Sequence, residues 1–183
     1  MSQLIDMKIV ITGTPGTGKS AIAKLISKEL NLKLFSITEI AKKEKLVNAK
    51  QEVDIKKLSS VLRFLRKMDN YIVEGHLACE IKFPADFIFV LRTHPDALNR
   101  RLKKRKYNQK KIQENIMSEM LDYCNQRVSL VYKRPFLELD TTKRFVSQSV
   151  SEVKKAIKQK KKKLDVVDYS DALKYYLNLG RSK

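Results

Sequence analysis

The chain contains few of the residues that characterise fibrous, linker-like or disulfide-stabilised proteins. Its 183 residues include 5 glycines, 4 prolines, 2 cysteines and no tryptophan. So little glycine and proline excludes a collagen-like or linker-dominated chain. Cys79 and Cys124 do not form a C-x-x-C pattern, which argues against a disulfide scaffold or a cysteine-rich zinc site. We therefore expect free thiols and a reducing compartment.

Long apolar runs are also missing. The first apolar stretch, Ile9–Thr12, is far shorter than the core of a signal peptide. No later run approaches the length of a membrane span. We therefore expect a cytoplasmic protein with no membrane partner.

Positive charge is what the chain has in excess. Lysine and arginine number 39 against 20 aspartates and glutamates, so the formal net charge is +19. Such a surplus could serve RNA, a ribosome-like surface or small phosphorylated substrates, or it could only keep a small protein soluble. Hydrophobic residues make up 43% of the chain, enough for a core, and the length indicates one compact domain with a short appendage.

Short apolar runs alternate with amphipathic stretches along most of the sequence. The predicted strands are Lys8–Thr12, Lys33–Ser36, Tyr71–Glu74, Phe87–Leu91 and Phe136–Leu139. Their nearly continuous apolar character is typical of strands covered on both faces. Helical spacing lies between them, with Asp54 as a predicted N-cap and Ser36–Glu39 as a predicted capping box. The fold class is therefore α/β, with a five-stranded parallel sheet flanked by helices.

The strongest motif is the segment Gly13–Ser20, which reads GTPGTGKS and matches the phosphate-loop pattern G-x-x-x-x-G-K-S/T. It has the required context, an apolar strand before it and an amphipathic helix after it. Backbone N–H groups of such a loop turn toward phosphate oxygens, and the helix N-terminus adds positive potential. Lys19 is predicted to place a cation between the β- and γ-phosphates, and Ser20 to offer its hydroxyl to Mg²⁺. The predicted nucleotide-binding residues of this segment are Gly13, Gly16, Thr17, Gly18, Lys19, Ser20 and Ala21.

A second candidate element follows the third predicted strand. Glu74 ends the apolar run, and Gly75 and His76 come next. A magnesium–nucleotide site needs a carboxylate near the end of a neighbouring strand, so we predict that Glu74 is catalytic and, with Ser20, a metal-site residue. His76 could orient a water or contact a substrate phosphate, or it could merely satisfy a loop carbonyl.

Two basic segments lie further along the chain. The stretch Arg100–Lys106 could be a mobile lid over a transferring phosphoryl group, a solvated helix face or an RNA-contacting patch, and composition does not separate these. Near the C-terminus, Lys160–Lys163 precedes a segment that places Tyr169, Leu173, Tyr176 and Leu177 on one helix face, with Gly180 as a candidate cap. We expect residues 161–183 to be an appendix that docks on the domain or contacts a partner or RNA.

These motifs resemble a known family, the small archaeal adenylate-kinase-like ATPases that also act in maturation of the small ribosomal subunit. The resemblance runs from Lys8 to Asp140. It is carried by the Thr-Pro pair after the first glycine of the phosphate loop and by the long run from Val90 to Glu119. This chain departs from the family pattern where Glu74 stands in place of Asp and Leu77 follows the histidine in place of Gly.

The resemblance implies a nucleoside-monophosphate-kinase-like fold with a short lid. Residues 1–160 would form the kinase domain, residues 36–58 the monophosphate-binding region and residues 104–112 the lid. Arg105 would be the lid arginine that touches ATP and takes part in catalysis.

The resemblance also implies two activities that use Mg²⁺. One is reversible phosphoryl transfer from ATP to a nucleoside monophosphate, with AMP as the first candidate. The other is ATP hydrolysis, thought to drive a transient complex with a small-subunit ribosomal protein during processing of pre-ribosomal RNA. The resemblance favours both activities with ribosome maturation as the biological role. The alternatives are a purely metabolic nucleotide kinase, a dedicated ATPase switch, or a basic RNA-binding protein that holds nucleotide without chemistry.

Overall fold

A single parallel sheet organises the chain. The computed structural model describes residues 6–49 and 52–179. In these ranges the strands are β1 Lys8–Thr12, β2 Lys33–Ser36, β3 Tyr71–Glu74, β4 Phe87–Arg92 and β5 Leu137–Asp140. All pairings are parallel and the order is β2-β3-β1-β4-β5. The five-stranded parallel sheet predicted from the sequence is confirmed.

Helices connect these strands and cover both faces of the sheet. The α-helices are α1 Lys19–Leu30, α2 Ile37–Lys43, α3 Ile55–Val61, α4 Pro95–Lys104, α5 Gln109–Met120, α6 Tyr123–Tyr132, α7 Val146–Lys158 and α8 Ser170–Leu179. Two 3₁₀-helices, Leu62–Lys67 and His76–Cys79, lie before and after β3. Within the described ranges, none of these helices combines the length and the hydropathy that crossing a bilayer requires.

Local sequence signals place most of the element boundaries. Asp54 caps α3 as predicted, because its carboxylate accepts from the backbone N–H groups of Lys56 and Lys57 at 2.9 and 3.1 Å. The capping box predicted at Ser36 is wrong. Ser36 is still part of β2, where it pairs with Glu74 of β3, and its side chain makes no capping hydrogen bond to α2. The last strand begins at Leu137, one residue later than predicted, because its pairing with β4 starts there.

The core forms two apolar layers, one on each face of the sheet. Successive side chains of β1 point to opposite faces of the sheet. Ile9 and Ile11 pack in the layer with α1 and α7, and Val10 packs in the layer with α2, α3 and α6. The middle strands are therefore buried on both sides, which explains their continuous apolar sequence.

The C-terminal segment docks on the rest of the fold. Tyr169, Leu173 and Tyr176 pack against apolar residues of α4 and α5. Leu177 is predicted to share this face, but it is 51% exposed and is therefore only partly covered. The candidate cap Gly180 lies outside the described residues.

Candidate nucleotide site

The phosphate loop connects β1 to α1 and fits closely against neighbouring elements. Gly13 and Gly16 have φ angles of 137° and 98°, which side chains rarely adopt. A Cβ at Gly13 would lie 2.4 Å from the carbonyl oxygen of Leu91, and one at Gly16 would lie 2.7 Å from Cδ1 of Leu98. Glycine is therefore required at both positions for the loop to pack against β4 and α4.

Lys19 opens helix α1 and points back into the loop. Its Nζ donates to the carbonyl oxygen of Thr14 at 2.9 Å, and the residue is buried. Burial lowers the pKa of Lys19 below its ordinary value, while the nearby carboxylates of Glu74 and Glu119 oppose this shift. A bound phosphate chain would supply negative charge beside the ammonium group, so the loop is built to receive an anion.

The order of the strands places Glu74 beside the phosphate loop. Glu74 ends β3, which pairs directly with β1. Its buried carboxylate accepts a hydrogen bond from the Ser20 hydroxyl at 3.1 Å. Two oxygen groups thus meet at the start of α1, and oxygen ligands from one carboxylate together with substrate phosphates suit Mg²⁺. Ser20 and Glu74 therefore fit the metal role expected of them.

His76 lies just beyond Glu74, at the start of a 3₁₀-helix. Its backbone carbonyl accepts from Thr12 Oγ1 at 3.3 Å and from Cys79 Sγ at 3.0 Å. The residue is exposed at the start of this short helix. Partial desolvation there, together with the charges of Lys19 and Lys111, lowers the pKa of His76 to about 4. The imidazole is thus neutral at pH 7 and can accept a hydrogen bond from water.

A second part of the site is a cleft of about 510 Å³ on the outer side of the phosphate loop. Ala21, Ile22 and Val146 provide an apolar wall. The remaining lining residues are two glycines, Gly16 and Gly18, and the basic or polar residues Thr17, Arg101, Lys104, Arg105, Thr141, Arg144 and Ser149. Such a cleft suits a nucleoside with a phosphate chain at one end.

The predicted site residues divide between these two parts. Gly16, Thr17, Gly18, Ala21 and Arg105 line the cleft. The others lie on the phosphate-loop side: Gly13, Lys19, Ser20, Glu74 and His76. Arg105 directly follows α4 and is exposed at the rim of the cleft.

Arg101 is a cleft residue that the sequence placed in the candidate lid stretch Arg100–Lys106 without a role of its own. Its guanidinium donates to Thr93 Oγ1 at 3.1 Å and to the carbonyl oxygen of Thr141 at 2.6 Å. These bonds hold Arg101 in place, whereas Arg105 is exposed at the rim. The rim therefore combines a fixed cation with an exposed one.

A buried ion cluster behind the loop was also missed by sequence reasoning. Arg92, at the end of β4, pairs with Glu119 of α5 at 3.0 Å and also contacts Asp122. Burial works against the charge of Arg92, but these two carboxylates raise its pKa. Glu119 accepts from the backbone N–H of Thr93 at 2.9 Å and from the Thr14 hydroxyl. The sequence did contain one signal of this cluster: Glu119 lies at helical spacing from Ile112 and Ile116, so a charged residue falls on the apolar face of α5.

The region expected to bind the monophosphate contains a separate small cleft. It has a volume of about 240 Å³ and is lined by Lys45, Leu46, Val47, Asn48, Glu52, Asp54 and Lys57. An antiparallel bridge between Val47 and Val53 closes its loop, and residues 50 and 51 lie outside the described ranges. Basic and acidic side chains are mixed here, so this cleft carries no single charge pattern.

Comparison with known proteins places this chain in a family. A family model described as an AAA domain matches residues 9–122. The putative adenylate kinase of Methanocaldococcus jannaschii is 38% identical over 94% of this chain and 98% of that protein. The putative adenylate kinase of Thermococcus onnurineus is 34% identical over 95% of this chain and 99% of that protein.

Solved structures agree on the fold. Shikimate kinase from Acinetobacter baumannii has a TM-score of 0.64 and 14% identity, over 85% of this chain and 94% of that one. Deoxyadenosine kinase from M. mycoides has a TM-score of 0.59 and 18% identity, over 83% of this chain and 100% of that one. At such low identity these two likenesses establish the P-loop kinase fold and nothing finer. The sequence relatives go further and confirm the resemblance: the chain belongs to the adenylate-kinase-like family of archaeal P-loop proteins.

Proposed function

We propose that this protein is a cytoplasmic, broad-specificity nucleoside monophosphate kinase that transfers the γ-phosphoryl group of Mg·ATP to AMP and related acceptors. The observation that carries the proposal is the hydrogen bond between Ser20 and the buried Glu74, which lies beside the phosphate loop and Lys19. The names of the relatives, putative adenylate kinase, support the same reaction.

The proposed reaction depends on alignment of the phosphates and neutralisation of their charge more than on a strong general base. A monophosphate oxygen attacks the γ-phosphorus, the bond to the β-bridging oxygen breaks, and ADP leaves. Loop N–H groups and Lys19 hold the phosphates, and Arg105 at the rim offers a further cation to the transferring group. Alignment and charge neutralisation supply most of the acceleration.

Ser20 and Glu74 are the residues that would hold Mg²⁺ against the triphosphate. When bound, the ion neutralises charge on the β- and γ-phosphate oxygens. The Ser20 hydroxyl holds the buried carboxylate of Glu74 toward the phosphate loop. The two protein groups proposed to hold Mg²⁺ are therefore already next to each other without nucleotide.

We assign residues 104–112 to a lid and residues 36–58 to the monophosphate-binding region of a kinase domain spanning residues 1–160. The lid segment joins the end of α4 to the start of α5. Lys104 and Arg105 line the cleft, and the charge of Lys111 acts on His76 across the site. A small movement of this segment would therefore bring cations over the phosphates.

Turnover by the purified chain tests the proposal. Mg·ATP is supplied with and without AMP, CMP, GMP or UMP, and ADP and free phosphate are counted separately. We expect two ADP per ATP consumed with AMP and no phosphate release. Phosphate release at a rate indifferent to every monophosphate would overturn the kinase assignment.

ATP hydrolysis linked to small-subunit maturation is the second candidate. The neutral imidazole of His76, next to Glu74, is suited to orienting a water on the phosphate side. The net charge of +19 and the family resemblance support a ribosomal protein and pre-ribosomal RNA as partners. A pull-down of small-subunit ribosomal proteins with ATP or ADP present tests it, and capture that ignores the nucleotide would contradict a switch.

A further inference from the structure

The C-terminal strap, defined as residues 164–179, crosses the end of the sheet where the nucleotide cleft opens. The backbone N–H of Asp165 donates to the carbonyl oxygen of Glu138 at 3.2 Å. In return, the backbone N–H of Asp140 donates to the Asp165 carboxylate at 2.8 Å. These bonds join the strap to β5, directly before the loop that supplies Thr141 and Arg144 to the cleft.

Asp165 also holds one of the basic residues of the cleft wall. Both terminal nitrogens of Arg144 donate to the Asp165 carboxylate, Nη2 at 3.1 Å, and Nη1 also donates to the carbonyl oxygen of Asp140 at 2.9 Å. The two side chains are half-buried, at 32% and 24% exposure. A two-pronged pair of this kind fixes the plane of a guanidinium group. The cleft wall therefore depends on a residue outside the kinase domain.

Tyr169 reaches the buried cluster behind the phosphate loop. The residue is buried, its ring centroid lies 5.0 Å from Cζ of Arg92, and its edge meets His94 at 5.6 Å between centroids. Arg92 pairs with Glu119, and Glu119 accepts from the Thr14 hydroxyl of the loop. A continuous chain of contacts thus connects the strap to the phosphate loop.

The rest of the strap covers the base of the lid. Leu173 and Tyr176 pack with Leu102 of α4 and with Ile112 and Ile116 of α5, the two helices that the lid segment joins. The strap thus touches the cleft wall, the cluster behind the loop and the support of the lid.

We propose that the C-terminal strap positions the ATP half of the site, with Asp165 holding Arg144 in the cleft wall and Tyr169 holding the Arg92–Glu119 pair behind the phosphate loop. This rests on the proposed function only in taking a nucleoside triphosphate as the ligand. Asp165 and Tyr169 are positioning residues, because neither lines the cleft. Their loss should weaken ATP binding and leave the monophosphate region unaffected.

The test compares two strap variants with matched controls on the full-length protein. Asp165→Asn is paired with Asp171→Asn, whose side chain is 98% exposed on α8. Tyr169→Ala is paired with Tyr175→Ala, which changes a tyrosine of α8 that is 69% exposed. Tyr169→Phe keeps the ring and should restore wild-type behaviour. Each protein is titrated with a fluorescent Mg·ATP analogue, and KM for ATP and for AMP and the melting temperature are recorded.

We expect Asp165→Asn and Tyr169→Ala to raise the Kd of the ATP analogue and the KM for ATP by about threefold to tenfold, which is the lower part of the range for coupled neighbours. KM for AMP should not change, and both controls should match the wild type. If Tyr169→Ala does not fold, the ATP affinity of Asp165→Asn alone tests the proposal. Unchanged ATP affinity, or an equal rise in the KM values for ATP and AMP, overturns the proposal.

The two proposals fail separately in this design. If the wild type binds the ATP analogue but makes no ADP from AMP, the kinase assignment fails and the titration still tests the strap. If the wild type phosphorylates AMP and the strap variants bind ATP like their controls, the strap proposal alone fails.

Discussion

The Thr14 hydroxyl in the phosphate loop donates to the carboxylate of Glu119 on α5, 105 residues further along the chain. Glu119 is buried, and its charge is balanced by Arg92. A buried carboxylate is costly unless it is paired and hydrogen-bonded, and here both conditions hold. The phosphate loop and α5 are therefore tied together.

Replacing Glu119 by Gln should destabilise the fold by about 3 kcal/mol, because it leaves a buried arginine short of one partner. Asp122 and Glu138 still contact Arg92, which keeps the loss at the lower end of the range for broken buried pairs. Urea unfolding measures the change. Glu114→Gln, an exposed change on the same helix, is the control and should unfold like the wild type; equal unfolding of both variants would contradict the importance of the pair.

Lys19→Met should lower kcat for ADP formation by about a thousandfold, because the variant lacks the cation that we propose for the β- and γ-phosphates. The fold should stay intact, since the side chain is buried and its charged form is disfavoured there. Product analysis and thermal melting check the two statements. Lys24→Met, an exposed lysine of the same helix, should keep full turnover. A Lys19→Met enzyme with wild-type turnover would remove the loop lysine from the mechanism.

Glu74→Gln should lower turnover by about a hundredfold and raise the Mg²⁺ concentration needed for half-maximal rate. The amide keeps the size of the side chain but removes the negative charge facing Ser20. A magnesium titration at saturating ATP measures both effects. Glu29→Gln, a surface change on α1, should leave the titration curve in place. Equal curves for the two variants would mean that Glu74 has no metal role.

His76 should make stability depend on pH between about 6.5 and 4. Its ordinary pKa is 6.5, and in the folded protein desolvation and two nearby lysines lower the pKa to about 4. Within this window the unfolded chain binds a proton that the folded chain does not, so stability falls as pH falls and is fully present above 6.5. Urea unfolding at pH 7, 5.5 and 4.5 should show a larger loss for wild type than for His76→Gln. Parallel losses would contradict the shift.

The sheet and the phosphate loop could be predicted because their signals are local. Strands buried on both faces need continuous apolar residues, and Lys8–Thr12 and Tyr71–Glu74 carry them. The glycines, lysine and serine of a phosphate loop lie within one short continuous segment, so the motif Gly13–Ser20 can be recognised from the sequence without knowledge of the fold. The capping box at Ser36 failed, because the residue is still held in β2 by its pairing with Glu74.

Contacts between distant segments depend on topology, and the tertiary structure alone decided them. Glu74 meets Ser20 because β3, third along the chain, is inserted beside β1. Glu119 meets Thr14 because α5 folds back over the end of β4. Asp165 contacts Arg144 of the cleft wall, and Tyr169 contacts Arg92 of the ion cluster, because the strap crosses the end of the sheet at β5. Sequence by itself identified the phosphate-loop motif, since its residues are contiguous in the chain. Packing determined which distant charges lie beside the loop, since a buried charge is stable only beside its partner.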